Sequence, residues 1–562
     1  MTDAIDLTTE QRKTLITLLR RFLPGVAVWA YGSRVKWTAR PNSDLDLVAF
    51  TTPAQRSQVP ELKDALAESN LPFPVDLHVW DEVPERFREI IRNEYVVVQE
   101  ARQPESGSGG LGMAGESPIE YDLRWPVVAL SEIAGKIGSG ATPKGGADAY
   151  LPSRARFALV RSQNVFDRRF DYNGLAFISD EQADGLRGVI LQPNDILLNI
   201  TGDGITFGRA CMVPKDVLPA CVNQHVSIIR LDPQRADAGY VLAFLTHPKV
   251  KSYIESFNAG GSRRAITKGH IESFRLPLPP LPEQRAIAHI LGTLDNKIEL
   301  NRRMNETLEV MARALFKSWF VDFDPVRAKA EGREPGLPKP LADLFPESFE
   351  DSELGEIPRG WAIGEIQDCC THIQNGGTPQ RNESRYWDGG NIPWLTSGEV
   401  RQPIVIATGG FITELGLTES SAKWVPAYST VIALYGATAG QVSLVSSPLT
   451  TNQAVCALVP KKDFAFFNYL SMRAATSDLE SKAVGSAQQN ISKGIVQETQ
   501  VILPPTPVVE RFAMLVGPLF DQWIASLCQS RTLAALRDTL LPKLISGEVR
   551  VKDAERLVEK AM

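Results

Sequence analysis

The sequence lacks the features of membrane and secreted proteins. Its 562 residues contain no apolar run of about 18 residues, the length that a membrane-spanning helix needs. The N-terminal stretch MTDAIDLTTEQRK is polar and acidic, unlike a signal peptide. The six cysteines contain no CxxC pair and do not suggest a disulfide framework, and the six dispersed histidines do not have zinc-ligand spacing. These absences predict a reduced, cytoplasmic protein.

An excess of positive charge is also absent. The formal net charge is −6, so the chain as a whole lacks the basic excess typical of nucleic-acid-binding proteins. The stretch TGDGITFGRA at 201–210 lacks the GxxxxGK pattern of a phosphate-binding loop. The Pro-Pro pairs at 279–280 and 504–505 do not form the Asn-Pro-Pro-aromatic motif of adenine methyltransferases. We therefore do not expect this chain to methylate DNA by itself.

An internal repeat is present instead. Five blocks recur in the same order; one example is GGSRRAITKGHIESFRLPLPP, which corresponds to GSAQQNISKGIVQETQVILPP. The offset between the blocks drifts only from 236 to 225 residues. Each copy combines short apolar strands and glycine-containing turns with one long helix after a proline-rich hinge. The pattern predicts two copies of one mixed domain, each followed by a helix.

The first of these helices is predicted from Pro282 to Phe320, about 58 Å at 1.5 Å per residue. Apolar residues recur along it with the alternating spacing of three and four that is typical of a coiled-coil seam. They are Ile287, Leu291, Leu294, Ile298, Leu308, Ala312, Leu315 and Trp319. In the second helix the corresponding residues are Val516, Leu519, Trp523, Leu533 and Leu540.

Polar residues interrupt both seams at corresponding places. Asn301 and Asn305 interrupt the first, and Ser526 and Ser530 interrupt the second. The shared interruption predicts that the helices pair with each other, because polar seam residues set register. The alternative is that each helix packs only on its own domain. An antiparallel pair would carry one domain at each end, and two such domains could read two half-sites on duplex DNA with unread bases between them.

From about Pro118 to Glu548 the sequence resembles the specificity subunits of type I restriction-modification enzymes. The resemblance is carried by GGTPQ at 376–380, GSAQQNIS at 485–492, the hinge LPLPPLPEQRAIAHIL and the ending LRDTLLPKLISGEV. It implies two target-recognition domains, two spacer helices and no catalysis by this region itself. It implies a role in phage defence, with double-stranded DNA as the ligand. The implied partners are two DNA adenine methyltransferase subunits that use S-adenosylmethionine, and ATP-dependent restriction/translocase subunits.

Candidate DNA contacts follow from residue type, since Arg and Lys bind phosphates and Arg, Asn and Gln read base edges. Residues 125–280 contain 18 Lys plus Arg against 14 Asp plus Glu, whereas residues 358–505 contain 10 against 11. In the first repeat the candidates are Arg154, Arg156, Arg168, Arg169, Arg263, Arg264 and Lys268. In the second repeat they are Arg381, Arg385, Tyr386, Gln441, Gln488, Gln489, Asn490 and Lys493.

The N-terminal segment suggests another chemistry. Gly32 and Ser33 follow an apolar strand and are predicted to open a helix whose free N–H groups favour a phosphate. Asp44 and Asp46 alternate with leucines, so both carboxylates face one side of a strand, and VDLHVW supplies Asp76. Three carboxylates beside a phosphate site suit Mg²⁺ and nucleotidyl transfer.

This spacing resembles the minimal nucleotidyltransferases of the DNA polymerase beta-like superfamily. The resemblance implies catalytic metal binding by Asp44, Asp46 and Asp76, and triphosphate binding by Gly32 and Ser33. The family pattern continues with Arg, a small residue and Gly after the GS pair, whereas Arg34 is here followed by VKW. The cofactors expected for this domain are therefore Mg²⁺ and a nucleoside triphosphate. The alternative is an inactive fold that serves as a docking module.

The predicted fold is a multidomain α/β chain with a small α/β nucleotidyltransferase-like domain and two tandem α+β target-recognition domains. Two long antiparallel coiled-coil spacer helices separate the recognition domains with pseudo-two-fold symmetry. The predicted order is the nucleotidyltransferase-like domain (1–102), a Gly/Ser linker (103–117), recognition domain 1 (118–280), spacer helix 1 (281–323), a Pro-rich irregular connector (324–357), recognition domain 2 (358–505), and spacer helix 2 with the C-terminal tail (506–562).

Two rival functions remain open at this stage. In the first, the chain is primarily a nucleotidyltransferase of an antitoxin-like kind, and the tandem domains bring it to a target. In the second, it is a scaffold that organises partner proteins without reading bases. Nucleotidyl transfer in the absence of DNA would favour the first, and equal affinity for all DNA sequences in the full complex would favour the second.

Overall fold

The computed structural model describes most of the chain. The described residues are 5–38, 43–51, 59, 62–63, 66, 71, 73, 75–83, 88, 91–92, 94–99, 117–119, 121–122, 124–202, 206–256, 264–482 and 490–561. Apart from residue 117, the predicted linker at 103–117 lies outside them. The chain divides into two compact units, residues 1–296 with 533–562 and residues 297–532. Across the described segments, no helix has both the length and the apolar character needed to cross a membrane.

The described part of the N-terminal domain includes a capped helix near its start and a four-stranded sheet. Thr8 caps the helix α1 (Thr9–Phe22) by accepting a hydrogen bond from the backbone N–H of Gln11. The strands lie in the order β3-β2-β1-β4, with β2 parallel to β3 and the other pairs antiparallel. Their bounds are β1 (Val28–Tyr31), β2 (Leu45–Ala49), β3 (Val75–Val79) and β4 (Val96–Gln99).

The two faces of this sheet have different surroundings, because side chains alternate along each strand. Leu45, Leu47 and Leu77 lie on the face that packs against Leu15 and Leu19 of α1. The opposite face carries a second apolar cluster that includes Trp29, Tyr31, Val48, Phe50 and Trp80. That opposite face is also the one to which the alternation assigns the predicted carboxylates.

The first repeat is built from short strands and short helices. Its strands are β5 (Val127–Ala129), β6 (Ala134–Ser139), β7 (Phe157–Val160), β8 (Val165–Phe166), β9 (Arg169–Phe170), β10 (Ala176–Ile178), β11 (Ile196–Asn199), β12 (Thr201–Gly202), β13 (Ala210–Met212), β14 (Ala220–Val222), β15 (Val226–Leu231), β16 (Arg264–Ala265) and β17 (Arg275–Pro277). Its helices are α2 (Leu130–Ile133), α3 (Asp180–Gly185), α4 (Ala238–Leu245), α5 (Pro248–Ser256) and α6 (Lys268–Glu272).

A connector and the second repeat follow the first long helix, α7 (Leu281–Phe320). The connector holds α8 (Asp324–Ala330), α9 (Lys339–Ala342) and the hairpin β18 (Phe349–Ser352) and β19 (Gly355–Pro358). The strands of the second repeat are β20 (Ala362–Glu365), β21 (Cys370–Asn375), β22 (Ile392–Leu395), β23 (Ile404–Val405), β24 (Gly410–Ile412), β25 (Trp424–Val425), β26 (Thr430–Ala433), β27 (Val442–Val445), β28 (Leu449–Thr451), β29 (Val455–Pro460) and β30 (Gln500–Leu503). Its helices are α10 (Glu414–Thr418), α11 (Ala465–Ala474), α12 (Thr476–Ser481) and α13 (Lys493–Gln497), before the second long helix α14 (Thr506–Ile545) and the terminal helix α15 (Val551–Ala561).

The strand orders confirm the internal repeat. The sheet β13-β11-β15-β6 of the first copy corresponds to β27-β26-β29-β21 in the second, which adds β23 at its edge. A second sheet, β10-β7-β14, corresponds to β24-β22-β28, with the same mixture of antiparallel and parallel pairing. In both copies a strand at the proline hinge pairs with a strand at the start of the repeat, β17 with β5 and β30 with β20.

The connector at 324–357 differs from its prediction. The proline content favoured irregular structure, but the segment contains two short helices and a β-hairpin. Phe323 adopts a left-handed conformation (φ 53°) where the connector leaves the long helix, and its ring packs edge-on against Trp361 with centroids 5.7 Å apart. Buried aromatic contacts therefore order a segment whose sequence has little apolar periodicity.

Both long helices contain 40 residues, and their pairing is antiparallel. In the unit of residues 297–532, Asn301 donates hydrogen bonds to Gln529 Oε1 at 2.9 Å and to Ser530 Oγ at 3.2 Å. Ser526 Oγ donates to the carbonyl of Asn301 at 3.4 Å. The predicted meeting of the polar interruptions is confirmed. The Asn301 Oδ1 atom is buried and accepts no hydrogen bond from the described residues.

Three phenylalanines of the long helices, Phe316, Phe320 and Phe520, pack inside the second unit. All three are buried in the large apolar cluster of the second unit. Phe320 meets Phe512 of α14 at 4.9 Å and Phe467 of α11 at 5.1 Å between ring centroids.

Five of the six cysteines are buried, and Cys528 on α14 is exposed. Burial raises the pKa of each buried thiol, because the thiolate loses its hydration there. The raised values are about 11 for Cys221 and about 12 for Cys369, Cys370 and Cys456, and Cys211 is raised further. The buried thiols are therefore weak nucleophiles.

Candidate recognition domains and nucleotidyltransferase site

The turn after β1 brings backbone close to a carboxylate. Gly32 has a positive φ of 82°, a conformation that glycine adopts without strain. A Cβ atom at this position would clash with the carboxylate oxygen of Asp46. Residues 33–37 form turns, so the helix predicted to open at Gly32 and Ser33 is not found within residues 32–38. Glycine is needed here because the turn crosses directly over the Asp46 side chain.

The sheet places the predicted carboxylates on neighbouring strands. Asp46 on β2 is the register partner of Asp76 on the parallel strand β3, and Asp44 is exposed just before β2. Burial raises the pKa of Asp46, and the charges of Asp76 and Asp44 raise it further. Tyr31, opposite Asp46 on β1, has a pKa raised to about 12 by burial and by Asp46 and Asp76. A bound cation would relieve the repulsion among these three carboxylates.

The donor chemistry fits a hard cation, since Mg²⁺ prefers carboxylate oxygens. Within the described part of the chain, however, no three His, Cys, Asp or Glu side chains are gathered closely enough to hold a metal ion. The side chain of Asp76 turns instead toward His78, with 3.7 Å between Oδ2 and Nε2. The assignment of metal binding to Asp44, Asp46 and Asp76 therefore stays a prediction.

Arg34 is a structural part of this site that sequence reasoning missed. Its buried guanidinium donates to the carbonyl of Ser43 through Nε at 3.0 Å and Nη2 at 2.8 Å, and to the carbonyl of Asp6 at 3.1 Å. It also lies 3.6 Å from the ring centroid of Phe73. Arg34, next to the glycine turn, thus fixes the position of Ser43, the residue before Asp44. The sequence signal for this role was the GSR triplet, because Arg34 is the last residue that fits the family pattern before VKW.

In the first repeat, two predicted DNA contacts are exposed beside a cleft. Arg154 and Arg156 line a cleft of about 290 Å³ together with Tyr172 and Asp216. Arg156 forms an ion pair with Asp180 at 3.2 Å. Because this pair is solvent-exposed, it is weak and a DNA phosphate can compete for the arginine.

The remaining candidates of the first repeat have different environments. Arg169 is partly buried and pairs with Asp171 at 3.5 Å. It lies over the ring of Phe166, as does Arg209, a residue that the sequence did not single out. Lys268 is exposed at the start of α6. Arg263 lies outside the described residues, and the side chain of Arg264 is likewise outside them, although its backbone pairs with Gly202.

Arg168 is not a DNA contact. Its side chain is buried and donates to Asp295 Oδ2 on α7 at 2.8 Å, to Thr246 Oγ1 at 2.6 Å and to the carbonyl of Ala243 at 3.0 Å. Arg537 on α14 donates to the other oxygen of Asp295 at 2.7 Å. We call Arg168, Asp295 and Arg537 the ionic clamp. The clamp joins the first repeat to both long helices within one unit. The residue type of Arg168 alone did not reveal this structural role.

In the second repeat, Tyr386 is the clear correction. It is buried, and its hydroxyl donates to Glu419 Oε2 at 2.7 Å, so it stabilises the domain and does not face DNA. Arg385 is exposed but pairs with Glu383 at 3.3 Å and Glu419 at 3.2 Å. Arg381 is exposed and lies 5.7 Å from the ring centroid of Trp387.

The polar candidates of the second repeat are only partly described. Gln441 donates to Glu480 at 3.0 Å. Asn490 is exposed and bridges to the backbone of Tyr435, and Lys493 begins α13 in a half-buried position. Gln488 and Gln489, predicted to read adenine, lie outside the described residues.

Comparison with known proteins identifies the family to which the two repeats belong. The model of the type I restriction modification DNA specificity domain matches residues 125–310 and 358–513, more than half of the chain. The chain belongs to this type I DNA specificity family. The polymerase beta nucleotidyltransferase model matches residues 13–103, which places a nucleotidyltransferase domain in front of the specificity region. Both resemblances expected from the sequence are confirmed.

Individual relatives match either the specificity region or the N-terminal domain. The specificity subunit of the type I restriction enzyme HindI from Haemophilus influenzae is 26% identical over 437 residues, covering 70% of this chain and 94% of that protein. The probable protein adenylyltransferase MntA from Haemophilus influenzae is 44% identical over 97 residues, covering 17% of this chain and 85% of that protein. A crystal structure of a type I S subunit from M. genitalium is 15% identical, covers 75% of this chain and 96% of that chain, and has a TM-score of 0.46. The specificity and nucleotidyltransferase regions thus match separate proteins.

Proposed function

We propose that this chain is the DNA specificity subunit of a type I restriction-modification complex and that each repeat reads one half of a bipartite target. The observation that carries the proposal is the duplicated domain, in which two copies share sheet topology and each leads through a proline hinge into a 40-residue helix. Two copies of one recognition fold on paired helices suit two half-sites separated by unread bases.

The subunit would position the partner subunits that catalyse methylation and cleavage. Two adenine methyltransferase subunits would supply S-adenosylmethionine-dependent methylation, and restriction/translocase subunits would supply ATP-dependent cleavage. The second repeat carries nearly balanced charge, with 10 Lys plus Arg against 11 Asp plus Glu in residues 358–505. A large share of the phosphate contacts is therefore expected from the partners, because DNA affinity depends on positive charge.

The modularity of recognition can be tested in the assembled complex. Residues 358–505 are exchanged for the corresponding domain of another specificity subunit, and methylated adenines are mapped across a genome. One half-site should change and the other should not. Insertion of four residues beside Asn301, about 6 Å of helix, should change the number of unread bases and leave both half-sites intact. Simultaneous change of both half-sites after the domain exchange would contradict the proposal.

For the N-terminal domain we propose Mg²⁺-dependent nucleotidyl transfer. Asp44, Asp46 and Asp76 would hold the metal, which polarises the phosphate during transfer when it is bound. Gly32 and Ser33 would bind the triphosphate through backbone N–H groups. The support is the position of the glycine turn against the Asp46 carboxylate and the electrostatic strain on that group. The name of the MntA relative, a probable protein adenylyltransferase, makes transfer of AMP to a protein the reaction to examine first.

Calorimetry on the full chain tests this second proposal. Wild-type protein is titrated with Mg²⁺ and each nucleoside triphosphate, beside the double variant Asp44→Asn with Asp46→Asn. Loss of two negative charges should abolish metal-dependent binding. Asp81→Asn, an exposed carboxylate of the same domain, serves as the matched control and should bind as wild type. Absence of binding by wild-type protein to all four triphosphates would leave the docking module as the function of this domain.

A further inference from the structure

Exposed aromatic surface lies beside the glycine turn of the nucleotidyltransferase domain. Tyr95 is 39% exposed, and its ring stacks on Trp29 with centroids 3.8 Å apart and planes 14° from parallel. Trp29 is supported in turn by Phe50 at 4.4 Å and Trp80 at 5.8 Å. One face of Tyr95 is therefore held by a rigid aromatic cluster, and the exposed fraction is available to a further flat group.

The strand register places Tyr95 in line with the carboxylates. Asp76 pairs with Asp46 across β3 and β2, and Asp46 pairs with Tyr31 across β2 and β1. On the other side of β1, Ala30 pairs with Val96, so Tyr95 lies opposite Tyr31 one residue further along. Directly opposed residues project from the same face of a sheet. Asp76, Asp46, Tyr31 and Tyr95 therefore form one row across the four strands, on the same face of the sheet.

The glycine turn lies next to this row. Gly32 follows Tyr31 directly, and Lys36 in the same turn forms an ion pair with Glu94 at 2.8 Å. The phosphate-binding turn is thereby tied to the residue before Tyr95. Two strand spacings, about 10 Å, separate Asp46 from Tyr95, which leaves room for the sugar of a nucleotide between a metal-bound phosphate and the aromatic ring.

We propose that Tyr95, backed by Trp29, is the stacking platform for the base of the nucleotide that this domain uses. The inference rests on the proposed nucleotidyl transfer and adds the binding site for the base. Every nucleobase has a face that stacks on an aromatic ring, so the platform supplies affinity without choosing among bases. The phosphates would bind at Gly32 and Ser33, and the base would extend toward β4.

Three variants of the full chain test the platform. Tyr95→Ala removes the ring, Tyr95→Phe keeps the ring and removes the hydroxyl, and Val97→Ala is the matched control. Val97 is 40% exposed, belongs to the same strand and lies opposite Trp29. Binding of ATP with Mg²⁺ is measured by calorimetry, with inorganic tripolyphosphate as the probe that lacks a base. Melting curves accompany each variant, so that loss of folding is recognised.

Tyr95→Ala should bind ATP about 10-fold more weakly, while unchanged tripolyphosphate binding shows that the phosphate site of the domain stays folded. Tyr95→Phe and Val97→Ala should bind as wild type. Wild-type affinity in Tyr95→Ala, or equal losses in Tyr95→Phe and Tyr95→Ala, would overturn the platform while leaving nucleotidyl transfer in place. If wild-type protein binds no nucleotide, both the transfer proposal and the platform fail.

Discussion

The two recognition repeats share a topology, but a main contact of each repeat with the long helices differs in chemistry. The first repeat uses the ionic clamp, in which the half-buried carboxylate of Asp295 accepts hydrogen bonds from Arg168 of the repeat and Arg537 of α14. The second repeat uses aromatic packing, in which Phe467 from the repeat meets Phe316 and Phe320 of α7. Duplication has therefore preserved strand order without preserving these two contacts, and the second repeat also has polar contacts with the helices, Arg473 with Glu309 at 3.6 Å and Tyr428 with Asp521 at 2.7 Å.

This difference has consequences for how each attachment responds to change. Aromatic packing is non-directional and depends on filled volume. A buried ion pair depends on geometry and on the presence of both charges, because a lone buried charge is costly. The following predictions use that contrast, in order of decreasing effect.

Phe512→Ala should be the most destabilising change. Phe512 is fully buried and contacts Phe316, Trp319 and Phe320, so its loss leaves a cavity among aromatic rings. We expect a loss of about 3–5 kcal/mol in the unfolding free energy of residues 297–532. Urea titration followed by hydrogen exchange in that unit measures it. Phe411→Ala, at a site that is exposed on β24, is the control and should cost far less.

Asp295→Asn should weaken the first attachment by about 3 kcal/mol, because it leaves Arg168 and Arg537 without their shared carboxylate. The loss should appear in residues 124–296 and leave the second unit unchanged. Asp184→Asn removes one partner of an exposed pair with Arg187, and a much smaller effect on stability is expected there. Equal effects of the two substitutions would show that the ionic clamp does not stabilise this attachment.

Asn301→Leu should have a smaller effect of opposite sign. The side chain lies in the seam with an unsatisfied Oδ1, so an apolar replacement should raise stability by about 1 kcal/mol. Polar seam residues also restrict register, so the spacing between methylated half-sites should become less uniform. Asn296→Leu, at an exposed position of the same helix, should change neither stability nor spacing. A destabilised Asn301→Leu protein would contradict this account of the seam.

Asp46→Asn should have the smallest effect on stability, and that effect should depend on pH. The pKa of Asp46 is raised in the folded chain, so the stability this group contributes is complete below its ordinary pKa of 3.8 and is lost as pH rises through the raised value. At pH 7 the amide should therefore raise the melting temperature by about 1–2 °C. The difference from wild type should vanish at acidic pH, which a melting series across pH will show.

The sequence predicted those features that depend on pattern. Helix α7 was expected from Pro282 and begins at Leu281, and the meeting of Asn301 with Ser526 and Ser530 followed from matched interruptions. These predictions succeeded because periodicity and repetition are properties of the chain itself. Strand alternation predicted only that Asp44 and Asp46 share one side of a strand, whereas the register that pairs Asp46 with Asp76 depends on how β2 and β3 meet in the fold.

Predictions that depended on exposure were less successful. Arg168 and Tyr386 carry groups that could contact DNA, yet both are buried by partners distant in sequence, Asp295 and Glu419. The expected helix after Gly32 is replaced by turns because the chain crosses the Asp46 side chain at that point. Residue type states what a side chain can do, whereas tertiary packing decides whether it faces solvent.

The single exposed thiol, Cys528, makes the spacer accessible to site-directed labelling without any substitution. Alkylating reagents react with thiolates, and the five buried cysteines have raised pKa values as well as little exposure. A maleimide fluorophore should therefore attach at Cys528 alone, two residues from Ser526 on α14. The natural chain thus offers a spectroscopic reporter next to the polar seam, where assembly with partner subunits can be followed in real time.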